Sequence, residues 1–182
     1  MLDCFVYDLY YPHIPGSLSP VFIWVRRAII FFMCGIVGYI GRRDAVRIAL
    51  KGLKRLEYRG YDSAGIASCD AKGSVFLEKS PGRISALERK IKHVPPGTLA
   101  IAHTRWATHG EPNFENAHPH ADCKNEIFIA HNGIIENHER IRTALTQEGH
   151  EFRSRTDSEV IAHLIERERA AGASSLEEAV ER

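Results

Sequence analysis

From Cys34 to Gly41 the chain reads Cys-Gly-Ile-Val-Gly-Tyr-Ile-Gly, a short run in which β-branched Ile36, Val37 and Ile40 are set between glycines. Glycines inside an extended apolar run mark a strand whose neighbours come close to its backbone, so the segment reads as a buried strand. A helix follows. From Asp44, a candidate N-cap, apolar Val46, Ala49, Leu50, Leu53 and Leu56 recur at three- and four-residue intervals and form one apolar stripe. A buried strand beside a one-faced helix calls for layered packing.

The rest of the chain extends that pattern. Ala64 to Cys69 and Ser74 to Glu78 read as a hairpin closed by Asp70-Ala71-Lys72-Gly73. A short helix is expected over 84–91, a break at Pro95-Pro96-Gly97, and a strand over 98–103. Glu111 to Lys124, with two prolines and two asparagines, reads as a loop, and Glu126 to His131 as a strand. Asn137 is placed to cap a helix that Gly149 stops. Thr156-Asp157-Ser158-Glu159 has the form of a capping box, with Thr156 starting a long helix, and a last helix begins at Ser174 or Ser175. Strands and helices do not alternate strictly, which favours a layered sheet with packed helices over a parallel doubly wound sheet.

The 182 residues, 44% hydrophobic and 26% charged, suffice for about one domain with a real core. With 24 Lys and Arg against 23 Asp and Glu, the net charge of +1 offers no broad field for a phosphate backbone or an anionic membrane. No nucleic-acid or membrane partner is expected. Cys4, Cys34, Cys69 and Cys123 are widely spaced with no CxxC pair, which fits a reducing cytoplasm. Residues 1 to 32 stand apart: they lack periodicity and carry Pro12, Pro15 and Pro20. Their apolar stretches, interrupted by Arg26-Arg27, fall short of the roughly 20 residues a bilayer needs. The expectation is that they pack poorly or not at all against the domain, as sequence read from a start placed too early or as a removable propeptide.

Met33 precedes Cys34 and a glycine follows it, the usual context for removing an initiator methionine. A chain beginning at Cys34 would hold a thiol with an ordinary pKa near 8.5 and an α-amino group near 7.7–8.0 on one residue. Such an amine is tuned to act as a base near neutral pH. On composition alone, a buried structural cysteine is the better reading of Cys34.

Six blocks in order carry a resemblance: CGIVGYIG from Cys34, LEYRGYDSAG from Leu56, AHTRWATHGEP from Ala102, NAHPH from Asn116, HNGIIENH from His131 and TDSEVIAHL from Thr156. Residues 34 to 182 resemble the N-terminal glutaminase domain of the glutamine–fructose-6-phosphate aminotransferases (isomerizing). These are the glucosamine-6-phosphate synthases of hexosamine biosynthesis, class II glutamine amidotransferases among the N-terminal-nucleophile hydrolases. The resemblance implies an α+β fold, a layered αββα sandwich truncated on its C-terminal side. It divides the chain into an extension, 1–33, untranslated or removed, and an incomplete amidotransferase domain, 34–182.

It also implies roles. Cys34 attacks the side-chain amide of L-glutamine, releases ammonia and leaves a thioester for water. Asn132, through its side-chain amide, and Gly133, through its N–H, form the oxyanion hole. Arg105 grips the substrate carboxylate with a two-pronged contact, and Asp157 takes the ammonium. Trp106, Thr108 and His109 lie in a loop folding over bound glutamine. Arg59, Tyr61, Asp62 and Ser63 read as scaffolding. Each has a plainer reading: Asn132-Gly133 as a turn, Arg105 as a surface charge, Asp157 as a helix-start residue favoured by the macrodipole.

No cofactor is implied. A metal site at His118, His120 and Cys123 is set aside, because no fourth ligand has finger-like spacing and the resemblance accounts for NAHPH without metal. Fructose 6-phosphate would be met only by an isomerase region beyond Arg182, and the full-length family member is expected to be a homo-oligomer. The rivals are the glutaminase domain of amidophosphoribosyltransferase or asparagine synthetase, and an inactive fragment in which residues 1 to 33 leave the Cys34 nitrogen as a non-basic amide.

Overall fold

The structure, a computed structural model, describes residues 4–7, 34–93, 97–106 and 111–182, with residues 4–7 and Arg59 described by backbone alone. Met33, the Pro95-Pro96 break and the apolar run 21–32 lie outside the described residues. In chain order the elements are β1 (Cys4–Tyr7), β2 (Gly35–Ile40), α1 (Ala45–Leu56), a 3-10 turn (Glu57–Arg59), β3 (Ser63–Cys69), β4 (Val75–Pro81) and α2 (Ile84–Lys90). Then come β5 (Leu99–Arg105), β6 (His120–Ala121), β7 (Phe128–His131), α3 (His138–Gln147), α4 (Glu159–Ala170) and α5 (Leu176–Glu181).

Two sheets form. One is antiparallel throughout, in the order β2-β5-β3-β4; the other runs β1-β7-β6. Because side chains alternate across a strand, each sheet feeds two layers of core. On the outer face of the larger sheet, Ala64, Ile66, Ala100 and Ala102 pack on Val46, Ala49 and Leu53 of α1 and Ile84 and Leu87 of α2. From its inner face, Ala67 and Ile101 meet Ala121, Phe128 and Ala130 of the second sheet. The far face of that sheet places Ile129 against Ala162 and Ile165 of α4 and Leu176 of α5. The order helix, sheet, sheet, helix is the expected αββα sandwich.

Small residues set the spacing between sheets. A Cβ on Gly65 of β3 would lie 2.1 Å from the carbonyl oxygen of His118, closer than any side chain tolerates, so only glycine lets the segment before β6 approach β3. Next to that contact the inter-sheet layer turns polar: buried His118 stacks on His103 at 4.2 Å between ring centroids and meets His120 edge-on at 4.3 Å.

Local signals hold in most places. Asp44 Oδ1 accepts from the Arg47 N–H at 3.1 Å, and Ser175 Oγ from the Glu178 N–H at 3.2 Å, so both cap as anticipated. Asn137 occupies the N-cap position of α3 but makes no side-chain cap bond. The capping box at Thr156 does not form, and α4 starts after Ser158. Thr156 Oγ1 is engaged with His120 Nε2 at 2.9 Å, while the Glu159 carboxylate accepts from the N–H groups of Ser154 and Arg153 at 2.7 and 2.8 Å. Buried tertiary partners outcompete the local motif.

The loop expected over 111–124 contains the two-residue strand β6, too short to show a period. A larger correction falls at the N-terminus. Cys4–Tyr7 pair in parallel with β7, Cys4 opposite Phe128 and Tyr7 opposite His131, so these four residues do pack on the domain. The physical cause is the edge of β7, whose backbone groups need partners, met by the strand-favouring Phe5-Val6-Tyr7. Among the described residues no helix is long and apolar enough to cross a membrane.

Two outcomes follow from this packing. Ile101→Ala empties a fully buried inter-sheet position and should cost about 2–5 kcal/mol in denaturant unfolding, whereas Ile40→Ala, at a residue 81% exposed, should stay within about 0.5 kcal/mol. Burial pushes the His103 pKa down to about 4 and those of His118 and His120 well below 6.5. Between pH 6.5 and about 4 the unfolded chain binds more protons than the fold, so stability should fall as pH falls through that window. Unfolding midpoints measured across it should decline less steeply for His103→Gln.

Candidate active site

Cys34 stands immediately before β2, whose pairing with β5 sets Gly35 opposite Thr104. Arg105, the last residue of β5, and Trp106 just past it therefore come close to the cysteine. The Trp106 N–H donates to Cys34 Sγ at 3.1 Å, and the thiol lies 3.7 Å from the Trp106 carbonyl oxygen. Burial pushes the Cys34 thiol above its ordinary value, against the smaller lowering effects of the Trp106 N–H and the Arg105 charge. The thiol is thus kept protonated and needs a base before it can attack.

Asn132, just past β7, reaches across from the second sheet. Its Nδ2 donates to the Cys34 carbonyl oxygen at 3.1 Å, and its Oδ1 lies 3.0 Å from His103 Nε2. With His103 held neutral by burial, the tautomer that donates from Nε2 fixes which end of the amide is oxygen. The nitrogen end then faces the backbone of the cysteine.

Burial lowers the pKa of Arg105, against the opposing influence of Cys34, Asp157 and Asp62. Asp157 Oδ2 accepts from the Ile135 N–H at 2.8 Å, which ties the loop after Gly133 to the start of α4. Cys34, Arg105, Trp106, Gly133 and Asp157 line one cavity.

The sequence-predicted residues Cys34, Asn132, Gly133, Arg105, Trp106 and Asp157 therefore come together, while Thr108 and His109 lie outside the described residues. The scaffolding block sits behind them. A Cβ on Gly60 would fall 2.9 Å from the Arg105 carbonyl carbon, the Asp62 N–H donates to the Arg105 carbonyl oxygen at 3.1 Å, and Tyr61 packs edge-on against Trp106 at 5.6 Å. Ser63 is fully buried opposite Arg105; the Arg59 side chain lies outside the described residues.

Sequence reasoning missed His103, His118, His131, Thr156 and Ser158, which also line the cavity. His131 Nδ1 lies 3.0 Å from Ser158 Oγ. One signal was available: in β5, Ile101, His103 and Arg105 share a strand face, so an inward Arg105 implies an inward His103. The trio His118, His120 and Cys123 separates, since the two histidines join the inter-sheet layer and Cys123 turns toward α4.

Comparison with known proteins follows the same line. The glutamine amidotransferase domain family matches residues 89–179. A glutamine–fructose-6-phosphate aminotransferase (isomerizing) from Pyrococcus horikoshii is 58% identical over 135 residues, 74% of this chain and 22% of the relative. One from Thermococcus kodakarensis is 52% identical over 149 residues, 81% of this chain and 24% of the relative. The chain thus spans less than a quarter of the length of these curated relatives. Among solved structures, the glutamine phosphoribosylpyrophosphate amidotransferase from B. subtilis superposes with a TM-score of 0.67 at 29% identity, covering 80% of this chain and 31% of that one. A structure of the allosteric regulatory enzyme of purine biosynthesis matches equally, at 0.67 and 30%. With its αββα layers, and with Cys34 and Arg105 in one cavity beside Asn132, the chain belongs to the glutamine amidotransferase domain family.

Proposed function

We propose that the domain hydrolyses L-glutamine to glutamate and ammonia through a thioester on Cys34. The observation that carries this reading is the Asn132 amide, held by His103 and aimed at Cys34. Arg105 binds the α-carboxylate and Asp157 the α-ammonium, which selects the free amino acid over a peptide-embedded glutamine. Cys34 Sγ attacks the side-chain carbonyl carbon and the oxygen takes the negative charge. Asn132 Nδ2 and the Gly133 N–H receive that charge, ammonia departs, and water cleaves the thioester.

The base is the α-amino group of Cys34, available once the chain begins there. The raised thiol pKa makes such a base necessary, and an amine on the same residue needs no further positioning. Within a longer protein, the ammonia would serve glucosamine 6-phosphate synthesis from fructose 6-phosphate, as the names of the relatives at 52–58% identity indicate. The purine-pathway amidotransferases share the fold at 29–30% identity, which ranks their chemistry second.

Ammonia release from glutamine tests the assignment in a chain beginning at Cys34. Asn132→Ala should lower turnover by about 100- to 1,000-fold, the usual effect of losing one oxyanion donor, with little change in the Michaelis constant. Arg105→Lys should instead raise the Michaelis constant, because an ammonium cannot reproduce the planar two-point contact. Near-native kinetics in both variants would remove the proposed site.

A further inference from the structure

Outside the cavity a second cluster of reactive side chains is built from three parts of the chain. Cys123 lies just past β6, His150 just past α3, and His163 with Glu166 on one face of α4 at a spacing of three residues. Their ligand atoms all lie within 4.8 Å of one another. Cys123 Sγ is 3.5 Å from His163 Nδ1 and 3.8 Å from His150 Nδ1. Glu166 Oε2 is 3.3 Å from His163 Nδ1 and 2.8 Å from His150 Nδ1.

A tetrahedral zinc ion with Zn–S near 2.3 Å and Zn–N near 2.0–2.1 Å sets sulfur and nitrogen about 3.6 Å apart, and nitrogen and carboxylate oxygen about 3.4 Å apart. Three of the four measured separations fall close to those values. The His150–Glu166 contact is shorter and would open as the ion enters. Four protein donors, one thiolate, two imidazoles and one carboxylate, make a closed, structural type of site for a borderline-soft cation.

The surroundings match what such ligands require. The Glu151 N–H donates to Cys123 Sγ at 3.4 Å, which suits a thiolate. His163 is fully buried, and its Nε2 has no hydrogen-bond partner among the described residues, yet it faces Glu159 Oε1 at 3.7 Å. A metal-bound histidine commonly directs its second ring nitrogen at a carboxylate.

We propose that Cys123, His150, His163 and Glu166 bind one zinc ion. The ion would lock the loop after β6 and the end of α3 onto α4, whose preceding residues Asp157 and Ser158 line the cavity.

Cobalt(II) titration of the full chain tests this, since a tetrahedral thiolate site produces visible ligand-field and near-ultraviolet charge-transfer absorption. One equivalent should saturate the signal, and zinc should displace it. Cys123→Ser should abolish the charge-transfer band, Cys69→Ser should leave it intact, and Glu159→Gln should weaken binding about 10- to 100-fold. Zinc should also raise the unfolding midpoint of the parent chain but not of Cys123→Ser, provided circular dichroism shows that variant folded. Absence of a thiolate band in the parent chain, or a band that survives Cys123→Ser, overturns the proposal.

Discussion

The side-chain amide of Asn132 is the point on which the site depends, because it joins the two sheets where Cys34 enters β2. One end takes its orientation from His103 on β5, and the other meets the Cys34 carbonyl oxygen. The bridge exists only because the sheets sit close at this end of the sandwich. Ala67, Ala121 and Ala130 pack with Ile101 and Phe128 in the apolar part of the interface, Gly65 admits the His118 carbonyl, and stacked imidazoles fill the polar part.

That closeness has an electrostatic consequence. Groups excluded from water lose the solvation that stabilises charge, so His103 stays neutral and Cys34 stays a thiol. A neutral His103 can only donate one proton and accept at one nitrogen, and this makes it a reliable positioning group for the amide. Arg105 is the charge kept at the site, with Asp157 and Asp62 supporting it. The cavity therefore holds a cation, Arg105, and an anion, Asp157, which under the proposed function meet the carboxylate and the ammonium of the substrate.

Much of this was legible in the sequence where the signal was periodic or dense. The β2 strand, the α1 stripe, the β3–β4 hairpin and the α5 cap follow from spacing and turn chemistry, and the six ordered blocks bring five of the eight named site residues to one cavity, with Asn132 bonded to Cys34 beside it. What was hidden depends on partners distant in sequence. Thr156 looked like a cap because its true partner, His120, is 36 residues away. β6 is two residues long, and β1 pairs only because β7 offers an edge. Cys123 was dismissed for want of ligands at regular spacing, whereas its neighbours arrive from α3 and α4 through folding.

The most direct test of the account is covalent trapping with a glutamine analogue that carries an electrophile at the side-chain carbon, read by peptide mass spectrometry. In a chain beginning at Cys34, one label should appear on Cys34, glutamine should protect against it, and Arg105→Lys should slow its formation. In the chain that retains residues 1 to 33, where the Cys34 nitrogen is an amide, labelling should be strongly suppressed. A label on Cys69 or Cys123, or equal labelling of Cys34 in both chains, would contradict the assignment of Cys34 and its own amine as nucleophile and base.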